Sequence, residues 1–228
     1  MQLLLPVSIN ASQTFDSFVN SEDKLLIQEL QKALLVDDFV SLFIAGTQGT
    51  GKTHLLNACC HSANLQGKSS ILLPLEQMVD MTPEVLDGIE QLEVVCIDNI
   101  ELVRGKPDWQ QALFNLFNEL MQNKATLVVS GSDTSKNLNL ELPDLVSRMQ
   151  WATPFQLHQL SEIDKTLALI HHAHLMGFEL SEDVAKFMLA RLPRKMDFLM
   201  QALNSLAKQS IEKQRVVTVP FVKEVLEI

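Results

Sequence analysis

Gly46-Thr47-Gln48-Gly49-Thr50-Gly51-Lys52-Thr53 is the stretch whose reading decides the fold. It matches the phosphate-binding pattern G-x-x-x-x-G-K-[ST] at every required position. The apolar run Val40-Ser41-Leu42-Phe43-Ile44-Ala45 precedes it, and Thr53-His54-Leu55-Leu56-Asn57-Ala58-Cys59-Cys60, apolar at helical spacing, follows. Strand, glycine-rich loop and helix in that order predict a nucleotide site. Gly46, Gly49 and Gly51 tolerate positive φ and carry no Cβ, so the backbone N–H groups of the loop can curl toward a phosphate. The helix N-terminus adds about half a positive charge to the same place. Lys52 is expected to reach the β- and γ-phosphates and the Thr53 hydroxyl to bind Mg²⁺, with Thr47, Gln48 and Thr50 completing the cradle.

Outward from the loop, buried strands and helices alternate. Ser69–Leu75 reads as a second strand, and Leu92–Asp98 and Ala125–Ser130 as continuous apolar strands covered on both faces. Pro154–Leu157 reads as an edge strand. Ser21-Glu22-Asp23-Lys24 is a capping signal for a helix over 22–35. Thr82 as N-cap and Pro83 at the first helical position predict a short helix from Pro83 to Leu92, and a longer amphipathic one spans Asp108 to Asn123. Alternation of this kind predicts a parallel five-stranded sheet with crossover helices. Pro143 opens a short helix over 142–149. From Ser161 onward only helices are predicted: Ser161–Met176 with Ser161 and Asp164 in capping-box spacing, Ser181–Leu192, Arg194–Ile211, and Val219 to the end. A domain boundary is expected near Leu160, giving an N-terminal segment 1–13, an α/β domain 14–160 and a helical domain 161–228.

The 228 residues carry a net charge of -10, which argues against a surface that grips nucleic acid by its own field. At 46% hydrophobic and 20% charged the composition is globular, and no apolar run approaches the roughly 20 residues of a membrane span. The N-terminus lacks the basic and apolar regions of a signal peptide, so a cytoplasmic protein is expected. Cys59, Cys60 and Cys96 sit in apolar runs without ligand spacing and are expected as reduced, buried thiols. His171, His172 and His174 crowd one predicted helix with no carboxylate or thiol at ligand spacing, so they are not read as a metal site.

A phosphate loop needs an acid at the end of a neighbouring buried strand to hold Mg²⁺, and Asp98 is that residue. The next position is Asn99, where a carboxylate would polarise the attacking water; an amide cannot take the proton. Because general-base catalysis contributes typically about 10²–10⁴-fold, binding with little turnover is expected, with Glu101 set too far round to substitute. Ser130 and Ser132 follow a buried strand, where hydroxyls either touch the γ-phosphate or cap a turn. Arg148, on its short helix at the sheet edge, either projects toward a neighbouring subunit's nucleotide or is a solvated surface residue. The apolar Gln2-Leu3-Leu4-Leu5-Pro6-Val7 either folds back on the domain or is taken up by another protein, Pro6 holding Leu5 extended.

Taken together, the phosphate loop, Ile97-Asp98-Asn99, Leu142-Pro143-Asp144-Leu145-Val146-Ser147-Arg148 and Pro220-Phe221-Val222-Lys223-Glu224-Val225-Leu226 give the chain a resemblance to AAA+ domains of the DnaA group. Thr14-Phe15-Asp16-Ser17-Phe18 looks like the group's opening box, and Val85-Leu86-Asp87-Gly88 points to its regulators, which switch off bacterial replication initiation, more than to the initiator. The resemblance implies an AAA+ three-layer sandwich followed by a small all-helical lid. It implies ADP (or ATP) with Mg²⁺ as cofactors and two partners, DnaA and the DNA polymerase sliding clamp. It also implies that Gln2, Leu3, Leu5, Pro6 and Val7 dock on the clamp, and that Arg148 is an arginine finger offered to DnaA-bound ATP. The group's second sensor arginine corresponds here to Asp197, with Arg194 and Lys195 one turn earlier: either the register is shifted, with Arg194 the nucleotide-binding candidate, or nucleotide sensing through the lid is weakened. Self-association is left open. The rival class is an AAA+ ATPase that turns over its own ATP to load or remodel a replication protein; a sequence-specific DNA binder is disfavoured by charge.

Overall fold

The computed structural model describes residues 12–20 and 22–228. The Gln2–Val7 segment lies outside the described residues. The chain divides into two compact units, one holding residues up to Phe18 and Glu22–Gln159, the other Val19–Ser21 and Leu160–Ile228.

The first unit is built on five strands: β1 (Val40–Ala45), β2 (Ser70–Pro74), β3 (Val94–Asp98), β4 (Thr126–Gly131) and β5 (Thr153–Gln156). They pair in the order β2-β3-β4-β1-β5, every neighbour parallel. Helices α1 (Lys24–Ala33), α2 (Lys52–Leu65), α3 (Leu75–Met78), α4 (Pro107–Gln122) and α5 (Pro143–Trp151) make the connections. Period-two alternation divides the strands between two cores. Phe43, Leu73, Val95, Ile97, Leu127 and Val129 pack with Trp109, Leu113, Leu116 and Phe117 of α4. Leu42, Ile44, Leu72, Cys96 and Val128 face the other way, onto Leu26 and Leu30 of α1 and Leu55, Leu56 and Cys59 of α2. Two apolar faces covered by helices give the three layers expected of a parallel sheet. The three cysteines are free and buried, and the contact of Cys60 with Cys96, together with burial, pushes the Cys60 thiol up, which keeps it protonated.

Two local expectations are corrected. Residues 83–92 form two 3-10 turns, Pro83–Leu86 and Ile89–Gln91, and not one helix. Asp87 is extended and Gly88 takes φ +89°, a conformation only glycine adopts without penalty, so the helix breaks there; Thr82 makes no side-chain cap. The helix expected over 22–35 is shorter, Lys24–Ala33, and Ser21 of its capping signal lies outside the described residues. Asp23 makes no cap hydrogen bond, and its side chain, 5% exposed for the residue, lies 3.5 Å from His158 Nδ1. Burial holds that carboxyl above its usual range, against the pull of His158.

The second unit holds α6 (Glu162–Leu175), α7 (Glu182–Arg191), α8 (Met196–Lys213) and α9 (Val219–Leu226) around a core of Leu169, Val184, Met188, Leu199, Leu203, Leu206 and Phe221. Ser161 accepts the Asp164 N–H at 3.1 Å and donates to the Asp164 carboxylate at 2.7 Å, and Ser181 caps α7 through the Val184 N–H. No helix among the described residues is long and apolar enough to cross a membrane.

Candidate functional site

The strand order sets the site. β1 and β3 flank β4, and parallel pairing brings their C-terminal ends to one edge of the sheet, where ligands of open α/β sheets bind. At that edge stand the phosphate loop after Ala45, Asp98 at the end of β3, and Ser130 near the end of β4. Gly49 and Gly51 take φ +80° and +98°. Gly51 also needs its missing side chain, since a Cβ there would lie 2.6 Å from Phe18 Cε2. Gly46 is equally confined, by Thr50 Oγ1 at 2.7 Å.

Lys52, 7% exposed, turns its ammonium back on the loop and donates to the Gly46 carbonyl at 2.6 Å and the Thr47 carbonyl at 3.2 Å. Burial lowers its pKa, while the negative fields of Asp98 and Glu101 act in the opposite sense. Thr53 Oγ1 donates to Asp98 Oδ2 at 2.6 Å, and Ser130 Oγ donates to Asp98 Oδ1. The Ser130 oxygen in turn accepts the Asn99 N–H at 3.1 Å. The carboxylate is thus held at both oxygens by hydroxyls from two other elements.

That donor set suits Mg²⁺, a hard cation that protein sites usually hold through one or two carboxylates together with phosphates and water. Thr53 and Asp98 are the residues that would hold it, and it would supply charge neutralisation of the phosphates. Asn99 is in the left-handed region at φ 60°, and its amide offers no base. Glu101 is occupied elsewhere: its Oε2 accepts the Ser132 N–H at 3.2 Å. Ser130 therefore binds the acid itself, while Ser132 is used through its backbone.

Sequence reading missed the shell behind the loop. Thr14 and Ser17 exchange hydrogen bonds, Thr14 N–H to Ser17 Oγ at 2.8 Å and Ser17 N–H to Thr14 Oγ1 at 3.1 Å. His54 Nε2 lies 2.9 Å from the Thr14 carbonyl and 3.2 Å from Ser17 Oγ, and Phe18 packs edge-on to its ring at 5.4 Å. Gln159 Nε2 reaches Thr47 Oγ1 at 3.4 Å. The opening box thereby ties itself to the first turn of α2.

Arg148 stands apart from this site. α5 packs on α4, and the guanidinium lies 4.3 Å from the Trp151 ring centroid, 5.7 Å from that of Phe117 and 5.9 Å from that of Phe114. Among the described residues no carboxylate pairs with it. Trp151 is 66% exposed, so the half-buried cation rests on an aromatic ledge at the surface. In the helical unit Arg194 pairs with Glu162 at 2.6 Å, both well exposed, and Asp197 lies in the first turn of α8. Burial and the neighbouring His171 lower the pKa of His172, and no metal-holding group of three or more His, Cys, Asp or Glu is found among the described residues. A mostly apolar cavity of about 950 Å³ also lies in this unit, lined by Leu167, Ile170, Phe178 and Val217 among others.

Residues 9–155 match the family model of the bacterial DnaA ATPase domain. The chain belongs to the bacterial DnaA ATPase-domain family. Residues 162–226 match a second model, the lid domain of Hda, so the helical unit of this DnaA-family chain is an Hda-type lid. Solved structures agree in fold. Domain III of the replication initiation protein DnaA from Thermotoga maritima has a TM-score of 0.79 at 22% identity, over 96% of this chain and 98% of that one. AMPPCP-bound DnaA from Aquifex aeolicus gives 0.72 at 21%, over 89% and 67%. The RuvB Holliday junction branch migration motor of T. maritima gives 0.67 at 17%, over 94% and 71%. The architecture is AAA+, with a nucleotide-binding fold. A DnaA-type ATPase domain joined to an Hda-type lid places this chain, an Hda-like member of the family, with the regulators of replication initiation.

Proposed function

We propose that this DnaA-family chain is an adaptor and activator: it holds ADP with Mg²⁺ at the phosphate loop, docks on the sliding clamp through Gln2, Leu3, Leu5, Pro6 and Val7, and offers Arg148 to ATP bound on DnaA, speeding hydrolysis in trans. It acts in this way as a negative regulator of initiation. The observation that carries the reading is the contrast between two sites. The chain's own pocket keeps its cradle and acid but has Asn99 where a base is needed, while Arg148 presents a cation with no carboxylate partner among the described residues. An arginine finger is worth roughly 10³–10⁵ in rate because it meets charge that develops only in the transition state. The Trp151 ledge supports the role by fixing the guanidinium without neutralising it, a cation–π contact worth about 0.5–1 kcal/mol at an exposed site. Ser130 is given the part of holding the Asp98 carboxylate.

A second reading, an ATPase working on its own nucleotide, draws support from the intact Lys52 and Thr53 of the phosphate loop and from Glu101, whose charge is felt at Lys52. One assay separates the two. Phosphate release is measured for the chain alone, for DnaA–ATP alone, and for both with clamp loaded on DNA. Release well above either component is expected only in the full mixture, returning to the unstimulated rate with Arg148→Ala and with Gln2→Ala plus Leu5→Ala. Rapid release by the chain alone, or stimulation that survives Arg148→Ala, overturns the proposal.

A further inference from the structure

Arg148 is carried by a helix of nine residues that opens on Pro143, so the entry to α5 has few backbone donors with which to anchor itself. The anchor is supplied by Gln110, a polar residue 1% exposed on α4. Its Oε1 accepts the Glu141 N–H at 3.0 Å and the Leu142 N–H at 2.9 Å. Its Nε2 donates to the Val103 carbonyl at 2.9 Å and to the Glu141 carboxylate. All four hydrogen-bonding positions of the amide are used. The Glu141 carboxylate also accepts the Gly105 N–H, at 3.1 and 3.2 Å to its two oxygens. Arg104 adds a fork onto the Leu138 carbonyl, Nε at 3.1 Å and Nη2 at 2.7 Å.

These bonds join two segments distant in sequence. On one side is the 3-10 turn Ile100–Val103 with Arg104 and Gly105, which begins directly after Asp98 and Asn99. On the other is the stretch 138–142 that leads into α5, with Leu142 as its N-cap. Leu142 and Arg148 are separated by less than two turns of helix, about 9 Å at 1.5 Å per residue, so a displacement at the entry is carried rigidly to the guanidinium.

We infer that Gln110, acting with Glu141, is a positioning residue for Arg148: the buried amide fixes the entry of α5 to the turn that follows Asp98, and so sets where the cation is presented. This rests on the reading of Arg148 as a cation acting in trans. Misplacing a catalytic group by about 1 Å costs on the order of 10²-fold, so the effect falls on the chemical step and leaves partner binding in place.

The test uses the full chain with clamp-loaded DNA and DnaA–ATP, titrating the chain to saturation. Gln110→Met, which keeps the shape and removes every hydrogen bond, is expected to lower the maximal stimulated rate about tenfold or more. The half-saturating concentration and retention on clamp should stay near wild type. Since Gln110 is buried, the exposed Glu141 supplies the control for folding. Glu141→Ala is expected to lower the maximal rate about threefold to tenfold, and Glu141→Gln, whose amide oxygen still accepts the Gly105 N–H, to restore most of it. Wild-type maximal rates for Gln110→Met and Glu141→Ala, alongside a dead Arg148→Ala, overturn the inference and leave the Arg148 reading intact. A raised half-saturating concentration at unchanged maximal rate makes Gln110 a docking residue and overturns it too, as does Glu141→Gln behaving like Glu141→Ala. Stimulation surviving Arg148→Ala instead removes the reading on which the inference rests.

Discussion

A methyl group on Gly51 meets two separate obstacles, and this fixes what a single residue can do here. Its φ of +98° lies in the left-handed region, costing an L-residue roughly 1–2 kcal/mol, and the added carbon would stand 2.6 Å from Phe18. Gly49, at φ +80° with nothing within 4 Å, meets only the first. Gly51→Ala is therefore expected to destabilise the protein by more than Gly49→Ala, the latter by about 1–2 kcal/mol, in urea unfolding; equal losses would show that Phe18 gives way freely. Thr53 and Asp98 were singled out in sequence by their spacing, and the structure brings the two together; Lys52, read from the same loop, turns back on the Gly46 and Thr47 carbonyls. Phe18, His54 and Ser17 were not legible in this way. His54 meets Thr14 and Ser17 across 40 and 37 residues of chain, and no local pattern encodes a contact of that separation.

Elements whose ends are set by a side chain within three residues were read correctly, and Ser161 is the clearest. Its hydroxyl both accepts the Asp164 N–H and donates to the Asp164 carboxylate, whereas Ser181 accepts the Val184 N–H at a longer 3.4 Å. Ser161→Ala is expected to cost about 1 kcal/mol, measured by thermal or urea unfolding, and Ser181→Ala less; the reverse order would mean that the caps are not what hold these helices. The failures had two origins, one local and one distant in sequence. Over 83–92 the capping residues were present, but Gly88 takes a conformation outside the helix, and two 3-10 turns replace it. At α1 the helix expected from residue 22 begins only at Lys24, and the side chain of Asp23 just before it is drawn toward His158, an interaction across 135 residues that propensity cannot anticipate.

Across the whole molecule the two units have separate cores, and their stabilities should separate as well. Phe221 is fully buried among Leu199, Leu203 and Leu206 in the helical unit. Phe221→Ala is expected to cost about 3–5 kcal/mol and to raise hydrogen exchange throughout α6–α9 while β1, β3 and β4 keep their protection. A matching rise in the sheet would show that the units unfold as one. The order of strands explains where the chemistry falls: with β4 between β1 and β3, the Ser130 hydroxyl reaches Asp98, and the loop after β1 brings Thr53 to the same carboxylate. The amino-acid sequence by itself determined the phosphate loop, the alternation of strands and helices and the capped helices that follow, because each is written in residues a few positions apart. Only the tertiary structure decided the hydroxyl pair on Asp98, the aromatic ledge under Arg148 and the buried amide of Gln110. Each joins segments that meet only once strands have taken their places and burial has forced polar groups to find partners.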